Sequence, residues 1–284
     1  MRFMIIDGKK IADKINLATA LMVKKIKKDG YDPKIAVFLV GQRPESEIYV
    51  RQKEKLAIKL GFGFELKRFP KSIRQNDLSR AILREHAKMN TSGIILQLPL
   101  PKHINTYAML SCLLPETDID CLSDISLGRL ILQNNLVVPP TAGAIMEILK
   151  DQKVNLGGKK IVVIGSGLLV GKPLVMILMN AKATVTVCNS ETKNLAKICV
   201  DADIIISGAG QKKLITAKMA KKSAIVIDAG FSFINGKAFG DADVSGLHKK
   251  GIKVTPTPGG VGPVTVACLM RNAAICAKNK YHNK

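Results

Sequence analysis

Apolar runs and helically spaced apolar positions alternate along the first half of the chain. Residues 9–28 carry apolar side chains at helical spacing and stop before Gly30, which predicts a helix. Residues 35–40 form a continuous apolar run closed by Gly41, as expected for a strand that is buried on both faces. The apolar stripe expected on the first helix comprises Ile11, Ile15, Leu17, Leu21 and Ile26.

The alternation continues to the end of the chain. The further elements predicted in the first half are a helix over 45–60, a strand over 64–69, a helix over 78–88, a strand over 93–98 and a helix over 107–114. In the second half they are a connecting helix over 141–149, strands over 159–165, 184–188, 204–207 and 224–227, and a last helix over 264–277. Strands that alternate with helices predict an α/β fold with a parallel sheet covered by helices.

Length and charge extend this picture. The chain has 284 residues, 47% of them hydrophobic, and so is long enough for two domains of the usual size. It carries 44 Lys+Arg against 22 Asp+Glu, a net charge of +22. Such an excess favours an anionic partner, although a genome-wide lysine bias would produce it too. With no Trp and 4% aromatic residues, aromatic stacking platforms for single-stranded nucleic acid are not expected.

Cysteine usage and hydropathy indicate the compartment. None of the six cysteines forms a CxxC pair and most lie in apolar runs, which favours buried thiols in a reducing compartment over disulfides or a zinc site. The first ten residues have too short an apolar stretch for a signal peptide, and no window offers the ~18 apolar residues needed to cross a bilayer. We therefore expect a cytoplasmic protein with no metal and no membrane contact.

The segment 254–267 has the densest turn chemistry in the chain. It contains three prolines and three glycines between two runs of β-branched residues. Proline fixes φ and glycine admits positive φ, so this density predicts a rigid loop of close backbone approach. A flat or anionic ligand could lie against it. A tight strand-to-helix turn, in which the glycines serve only packing, explains the same residues.

A candidate pocket is expected at the carboxyl edge of the first sheet. Tyr49 and Lys53 lie four residues apart, one turn from each other on the same face of a predicted helix. Gln97 closes the strand over 93–98, and Asp118 and Asp120 follow in a loop, of which at most one need face inward. Phenol, amine, amide and carboxylate could therefore converge. For the Tyr49 and Lys53 pair alone, a solvated lysine over a tyrosine is the simpler interpretation.

A glycine pattern in the second half suggests a nucleotide site. Gly165, Gly167 and Gly171 follow a predicted strand and open a helix, where backbone N–H groups can approach a pyrophosphate. The spacing is one residue longer than the common dinucleotide fingerprint, so the signal alone is weak. Small residues also end the later strands. After the strand over 184–188, Asn189, Ser190, Thr192 and Lys193 carry no carboxylate to repel a 2′-phosphate, which favours NADP, with NAD as the alternative.

Four motifs taken together resemble those of the bifunctional methylenetetrahydrofolate dehydrogenase/methenyltetrahydrofolate cyclohydrolase family. They are S-x-x-Y-V-x-x-K (Ser46, Tyr49, Val50, Lys53), Q-L-P-L-P from Gln97, D-x-D (Asp118, Asp120) before L-G-R-L, and P-G-G-V-G-P-x-T over 258–265. The similarity covers nearly the whole chain, and the last motif is the most specific. The resemblance implies NADP-dependent oxidation of methylenetetrahydrofolate, followed by hydrolysis of the methenyl product to 10-formyltetrahydrofolate. It also implies a homodimer, a role in one-carbon metabolism and purine biosynthesis, and a folate substrate with or without a polyglutamate tail, but no nucleic acid.

The resemblance also implies the division of labour within the chain. An N-terminal three-layer α/β domain (1–140 plus 264–284) would bind folate and carry catalysis, and a Rossmann-like domain (141–263) would bind NAD(P), with a cleft between them. The expected catalytic residues are Lys53, Tyr49, Gln97 and Asp120. Lys53 would act in the hydrolytic step, with a pKa lowered by burial beside uncharged Gln97. Tyr49 would stack on the folate, and Asp120 would accept hydrogen bonds from the pterin.

The remaining expected site residues follow from the same resemblance. Substrate contacts would add Val50, Leu98, Pro99, Pro258, Gly259 and Gly260 to Tyr49 and Asp120. Cofactor contacts would come from Gly165, Ser166, Gly167, Val170, Gly171, Ser190, Gly208, Gly230 and Thr265.

The chain departs from the family pattern at several points. Cys121 stands where glycine is common, Ser166 replaces the arginine of G-R-S, and Gln211 replaces the first residue of a frequent Lys-Pro pair. The segment 138–142 also differs from the usual P-C-T-P. Two alternatives therefore stay open: a family member that keeps only one activity, and a basic nucleic-acid-binding protein on a nucleotide-binding fold.

Overall fold

The structure, a computed structural model, describes residues 5–234 and 237–282. The chain forms two compact α/β units, which confirms the two-domain prediction. The three-stranded unit holds Lys14–Pro140 and the chain from Leu269 onward; the five-stranded unit holds the chain up to Asp13 and Thr141–Cys268. The expected domain boundaries at 140/141 and 263/264 stay predictions. Their terminal residues 1–4, 283 and 284, with 235 and 236, lie outside the described residues.

The three-stranded unit is built on a parallel sheet in the order β2-β1-β3. Its central strand β1 is buried on both faces, as its apolar run predicts. The elements are α1 (Gly8–Lys28, which begins in the other unit), β1 (Lys34–Val40), α2 (Pro44–Lys59), β2 (Gly63–Phe69), α3 (Gln75–His86), β3 (Thr91–Leu96), α4 (Thr106–Leu110) and α5 (Asp124–Ile131).

Several details of this unit differ from the sequence prediction. Leu17 and Leu21 were expected on the apolar stripe of α1 but are 66% and 62% exposed, because the buried positions recur at three- and four-residue spacing on the opposite side of the helix. Strand β3 ends at Leu96, before Gln97, and α4 ends at Leu110. Helix α5 was not predicted, although Ser123 caps it by accepting a hydrogen bond from the Ser126 N–H.

The five-stranded unit is built on a parallel sheet in the order β10-β7-β6-β4-β5. This order matches the doubly wound dinucleotide-binding sheet without its third strand. A separate antiparallel pair, β8 and β9, lies outside the main sheet. The elements are α6 (Pro140–Asp151), β4 (Lys160–Ile164), α7 (Gly171–Asn180), β5 (Thr184–Cys188), α8 (Leu195–Cys199), β6 (Ile204–Ser207), a 3₁₀ turn (Ala217–Met219), β7 (Ile225–Asp228), β8 (Ser232–Ile234), β9 (Lys237–Phe239), α9 (Val244–Lys249), β10 (Lys253–Val254) and α10 (Val261–His282, which ends in the other unit).

The segment 254–267 is only partly a loop. Helix α10 begins at Val261, three residues before the predicted start, so the loop itself is confined to 255–260. Proline at position 263 is tolerated because the first-turn N–H groups of a helix have no intrahelical acceptor.

The described residues also bear on membranes, thiols and metals. Among them, none of the helices combines the length and apolar character that crossing a bilayer requires. All six cysteines are free thiols; five are buried and Cys112 is partly buried. No group of three His, Cys, Asp or Glu side chains in the described part of the chain is placed to hold a metal ion.

Candidate active site

A lysine and an amide meet at the carboxyl edge of the three-stranded sheet. Lys53 Nζ on α2 donates a hydrogen bond of 3.0 Å to Gln97 Oε1, just after β3. Gln97 Nε2 in turn donates to the Leu98 carbonyl oxygen at 2.9 Å, which keeps the amide oxygen turned toward the lysine. Burial lowers the pKa of Lys53 below its ordinary value, against the opposing influence of Asp120. The predicted pairing of Lys53 and Gln97 is therefore present in the structure.

Asp120 belongs to the same cluster. Burial raises its pKa, the positive charge of Lys53 lowers it, and the Asp118 charge raises it further. Asp118, fully buried, accepts hydrogen bonds from the Leu122 and Ser123 N–H groups and so holds the turn that carries Asp120. Of the two carboxylates, Asp118 supports the turn and Asp120 acts on the lysine.

The two other expected folate contacts on α2 have different environments. Tyr49, one turn before Lys53, is partly buried, and burial raises the pKa of its phenol, which keeps it neutral. Val50 is fully buried in the core cluster of the unit, so its side chain packs against the core, and its expected contact with the folate stays a prediction. After Gln97, Leu98 is partly buried and Pro99 exposed, with a cis peptide bond between them.

Cys121 occupies a position whose backbone explains the usual glycine. Its φ is +53°, in the left-handed region that side chains rarely adopt. The side chain is buried, and its thiol donates a 3.4 Å hydrogen bond to the Val137 carbonyl oxygen. Burial raises the pKa of this thiol. The thiol is thus held by Val137, while Asp120 keeps its electrostatic interaction with Lys53.

The loop 255–260 packs tightly within the five-stranded unit. The Gly8 N–H donates to the Gly259 carbonyl oxygen at 3.0 Å, and a Cβ added to Gly8 would lie 1.8 Å from the Gly260 carbonyl oxygen. A Cβ on Gly260 would itself lie 2.4 Å from the Pro256 carbonyl oxygen. Gly259 has a φ of +102°, and Pro258 before it is exposed. These contacts give the glycines a packing role and leave Pro258 and part of Gly259 accessible to a ligand.

The glycine turn after β4 has the shape that a pyrophosphate needs. Gly165 has a φ of +103°, and a Cβ there would lie 2.7 Å from the Gly208 carbonyl oxygen. A Cβ on Gly171 would lie 1.9 Å from the Gly165 carbonyl oxygen, whereas a Cβ on Gly167 would meet no atom within 4 Å. Helix α7 starts at Gly171; within its first turn the Lys172 N–H already donates to the Gly167 carbonyl oxygen at 3.0 Å and Pro173 has no N–H, so the attraction for an anion here comes chiefly from the positive end of the helix dipole. The residues present fit a bound dinucleotide.

Comparison with known proteins decides the family. A model described as tetrahydrofolate dehydrogenase/cyclohydrolase, catalytic domain, matches residues 6–120, and a second, for the NAD(P)-binding domain of the same family, matches residues 139–281. The chain belongs to the tetrahydrofolate dehydrogenase/cyclohydrolase family. This confirms the family that the sequence motifs indicated and assigns NAD(P) binding to the second half of the chain.

Individual relatives match over nearly their whole length. The chain is 38% identical over 274 residues to the bifunctional protein FolD of Exiguobacterium sibiricum, covering 96% of this chain and 99% of the relative. The crystal structure of the bifunctional enzyme FolD from Campylobacter jejuni matches with a TM-score of 0.94 and 36% identity, over 97% of this chain and 98% of that one. The enzyme from Trypanosoma brucei, crystallised with NADP and an inhibitor, matches with a TM-score of 0.91 and 35% identity, over 98% of both chains.

Two buried aspartates that the sequence analysis missed organise the dinucleotide half. Asp241 accepts hydrogen bonds from Ser207 Oγ and from the N–H groups of three consecutive residues after β6, which are Ala209, Gly210 and Gln211. Asp228 accepts from the N–H groups of Gly230, Asp241 and Ala242. Nothing in the local pattern marks Asp241, because its donors lie about thirty residues earlier in the chain.

Several expected cofactor residues therefore have structural explanations. A Cβ on Gly230 would lie 2.1 Å from the Asp241 carboxyl carbon, so this glycine makes room for the aspartate. The Thr265 hydroxyl donates to the Val261 carbonyl oxygen inside α10, at 3.1 Å. Gly208 and Ser166 are partly exposed and Ser190 is exposed, so these three are accessible to a ligand.

NADP agrees with the family match and with the NADP-bound relative from Trypanosoma brucei, but the premise that the turn after β5 has no carboxylate was wrong, because Glu191 lies in that turn. This glutamate lies between Ser190 and Thr192, is exposed, and accepts a 3.4 Å hydrogen bond from Ser190 Oγ. The turn therefore carries a carboxylate after all. NAD(P) binding rests on the family match and on the glycine turn.

Proposed function

We propose that the protein oxidises 5,10-methylenetetrahydrofolate to 5,10-methenyltetrahydrofolate with NADP and then hydrolyses the product to 10-formyltetrahydrofolate. The first step moves a hydride from substrate to NADP, and the second adds water and releases a proton. The observation that carries the proposal is the 3.0 Å hydrogen bond between Lys53 and Gln97, made by an amine whose pKa is lowered by burial. The relatives named as bifunctional support both steps, and the Trypanosoma brucei enzyme supports NADP.

Lys53 is the group proposed to act in hydrolysis. A lysine accepts a proton only in its neutral form, and the lowered pKa increases the neutral fraction near pH 7. Gln97 offers its carbonyl oxygen to the amine and carries no charge, so it orients Lys53 without locking it in the protonated state. In this role Lys53 takes a proton from the water that attacks the methenyl carbon.

Tyr49 and Asp120 are proposed to place the folate. The neutral phenol ring of Tyr49 would stack on the pterin, one helical turn from Lys53. Asp120 would accept hydrogen bonds from the amino edge of the pterin and oppose full neutralisation of Lys53. Bound NADP supplies the hydride acceptor, and the glycine turn from Gly165 to Gly171 would hold its pyrophosphate.

The wider setting is also part of the proposal. The net charge of +22 suits polyglutamylated folate and a phosphorylated dinucleotide. We further propose a cytoplasmic homodimer that supplies formyl groups to one-carbon metabolism and purine biosynthesis. Analytical ultracentrifugation tests the dimer, and a monomer at micromolar concentration would contradict it.

The two activities are tested separately. NADPH should appear when the protein is mixed with NADP and methylenetetrahydrofolate, and methenyltetrahydrofolate supplied directly should disappear faster than in buffer. The Lys53→Ala change should abolish the enzymatic hydrolysis, and hydrolysis that survives it would refute the role of this lysine. The matched control is Lys55→Ala, an exposed lysine on the same helix.

The same assays address the two alternatives. A protein that performs one step and not the other would be a family member with a single activity. Salt-sensitive binding of DNA or RNA without folate turnover would favour the nucleic-acid-binding alternative.

A further inference from the structure

Glu191 lies at the edge of the five-stranded sheet where the glycine turn begins. Strands β4 and β5 pair in parallel, with Ile164 opposite Cys188, so both end at the same level. The Gly165 N–H donates to the Cys188 carbonyl oxygen at 2.8 Å. Because neighbouring strands lie about 4.8 Å apart, the segment after β5 starts directly beside the glycine turn.

The turn that carries Glu191 is held by its own side chains. The Asn189 N–H donates to Thr192 Oγ1 at 2.9 Å, and the Glu191 N–H donates to Asn189 Oδ1 at 3.0 Å. These bonds keep Glu191 at the carboxyl end of β5. Its side chain is exposed, and it forms no ion pair with any side chain that the structure describes. The carboxylate is thus available to a ligand beside the glycine turn.

The strand order identifies what this position contacts in a bound dinucleotide. In a doubly wound sheet the pyrophosphate lies at the end of the first strand, and an acidic residue at the end of the second accepts a hydrogen bond from the ribose 2′-hydroxyl. Here β4 is the first strand and β5, its outer neighbour, is the second. Glu191 follows β5 by three residues. The same carboxylate would repel a 2′-phosphate.

We propose that Glu191 determines the cofactor preference by favouring the 2′-hydroxyl of NAD and penalising the 2′-phosphate of NADP. NADP is still bound, but the protein prefers NADP over NAD by a smaller factor than it would if the turn lacked the glutamate. This inference rests on the proposed function for its reaction, whereas the binding step it describes can be measured alone. Lys193, the only basic residue in 189–193, is the competing candidate, since it would attract the 2′-phosphate.

The test measures binding by calorimetry on the full-length protein. The dissociation constants of NADP and NAD, and of adenosine 2′,5′-bisphosphate and AMP, are compared in the wild type, Glu191→Gln and Lys193→Gln. Glu191→Gln should shift both ratios about tenfold toward the 2′-phosphorylated ligand, the effect of one charged hydrogen bond. The matched control is Asp201→Asn, which changes an exposed carboxylate just before β6, at the amino ends of the strands and not at the carboxyl ends where the glycine turn lies. It should leave both ratios unchanged.

Three results would overturn the inference. They are a shift of less than about twofold in Glu191→Gln, a shift confined to Lys193→Gln, and a wild type that binds neither dinucleotide. Failure of the proposed function looks different. In that case the ratios shift as expected in Glu191→Gln, but no NADPH forms from methylenetetrahydrofolate.

Discussion

Replacing Asp241 with asparagine should loosen the backbone that follows β6. The carboxylate is fully buried and accepts hydrogen bonds of 2.6 Å from Ser207 Oγ, 2.8 Å from the Ala209 N–H and 2.7 Å from the Gln211 N–H, with a longer one of 3.3 Å from the Gly210 N–H. Asparagine has the same shape but a single acceptor oxygen, and its amide nitrogen can only donate. The amide nitrogen of the asparagine must then point at a group that is itself a donor, and no hydrogen bond forms there.

The geometry sets the size of the effect. With the amide oxygen in the Oδ2 position, Ser207, Ala209 and Gly210 keep an acceptor and the Gln211 N–H loses its own. A hydrogen bond to a charged group contributes about 1.5–3 kcal/mol, and the other bonds weaken when the charge is lost. Loss of the Asp241 charge also removes a repulsion from Asp228, whose pKa is raised by burial and by that charge, and this offsets part of the destabilisation. We expect a net loss of about 2–3 kcal/mol in the free energy of unfolding of the five-stranded unit.

Labelling of buried cysteine thiols measures the unfolding of the five-stranded unit separately from that of the three-stranded unit. Cys188 and Cys199 are buried in the five-stranded unit, so pulse labelling along a urea gradient, with mass spectrometry to locate the label, follows its unfolding. Asp241→Asn should move the midpoint to lower urea, whereas the exposed Asp201→Asn should not. If Asp241→Asn stays within about 0.5 kcal/mol of the wild type, the reasoning is refuted.

Two further predictions concern pH. Burial lowers the pKa of Lys53, so the enzymatic rate of methenyl hydrolysis, after subtraction of the uncatalysed rate, should rise with pH through an apparent pKa below 10.5. Lys53→Arg should abolish this rise. A flat pH profile in the wild type would contradict the prediction. Burial opposes ionisation of Glu85, but hydrogen bonds from Thr91 and from Lys88, Lys67 and Lys34 outweigh it and lower its pKa from 4.5 to about 2. The stabilising contribution of the ionised Glu85 is complete above pH 4.5 and is lost as the pH falls toward 2. Between pH 4.5 and 2 the melting temperature of Glu85→Gln should therefore fall less than that of the wild type. An equal fall in the two proteins would count against this prediction.

The part of the site that could be predicted from sequence is the part set by local periodicity. Tyr49 and Lys53 share a helix face because they are four residues apart, and Gln97 reaches Lys53 because parallel strands end at one sheet edge. The family motifs then supplied roles that spacing alone left open. The α/β fold followed from the alternation of elements, with errors of a few residues at the ends of the predicted ones, whereas α5, α8, α9 and the strands β8 to β10 were not predicted.

The rest depended on contacts between distant segments. The donors to Asp241 lie about thirty residues earlier, and a side chain at Gly230 would overlap the Asp241 carboxylate. Leu17 and Leu21 fit helical spacing among themselves, but which stripe of α1 is buried depends on the elements that pack against it. The glycine that the family favours at Cys121 reflects a backbone angle, which no hydropathy pattern encodes.

The contact between Gly8 and the 259–260 peptide has a consequence for how the chain assembles during synthesis. Ile6 and Gly8 donate hydrogen bonds to Val254 and Gly259, so the segment at the start of α1 pairs with β10 and the loop after it. The entire three-stranded sheet, β1 to β3, is translated in between. The segment at the start of α1 therefore lacks this partner while the three-stranded sheet is translated, and the five-stranded unit can be completed only after β10 and the loop after it have been made.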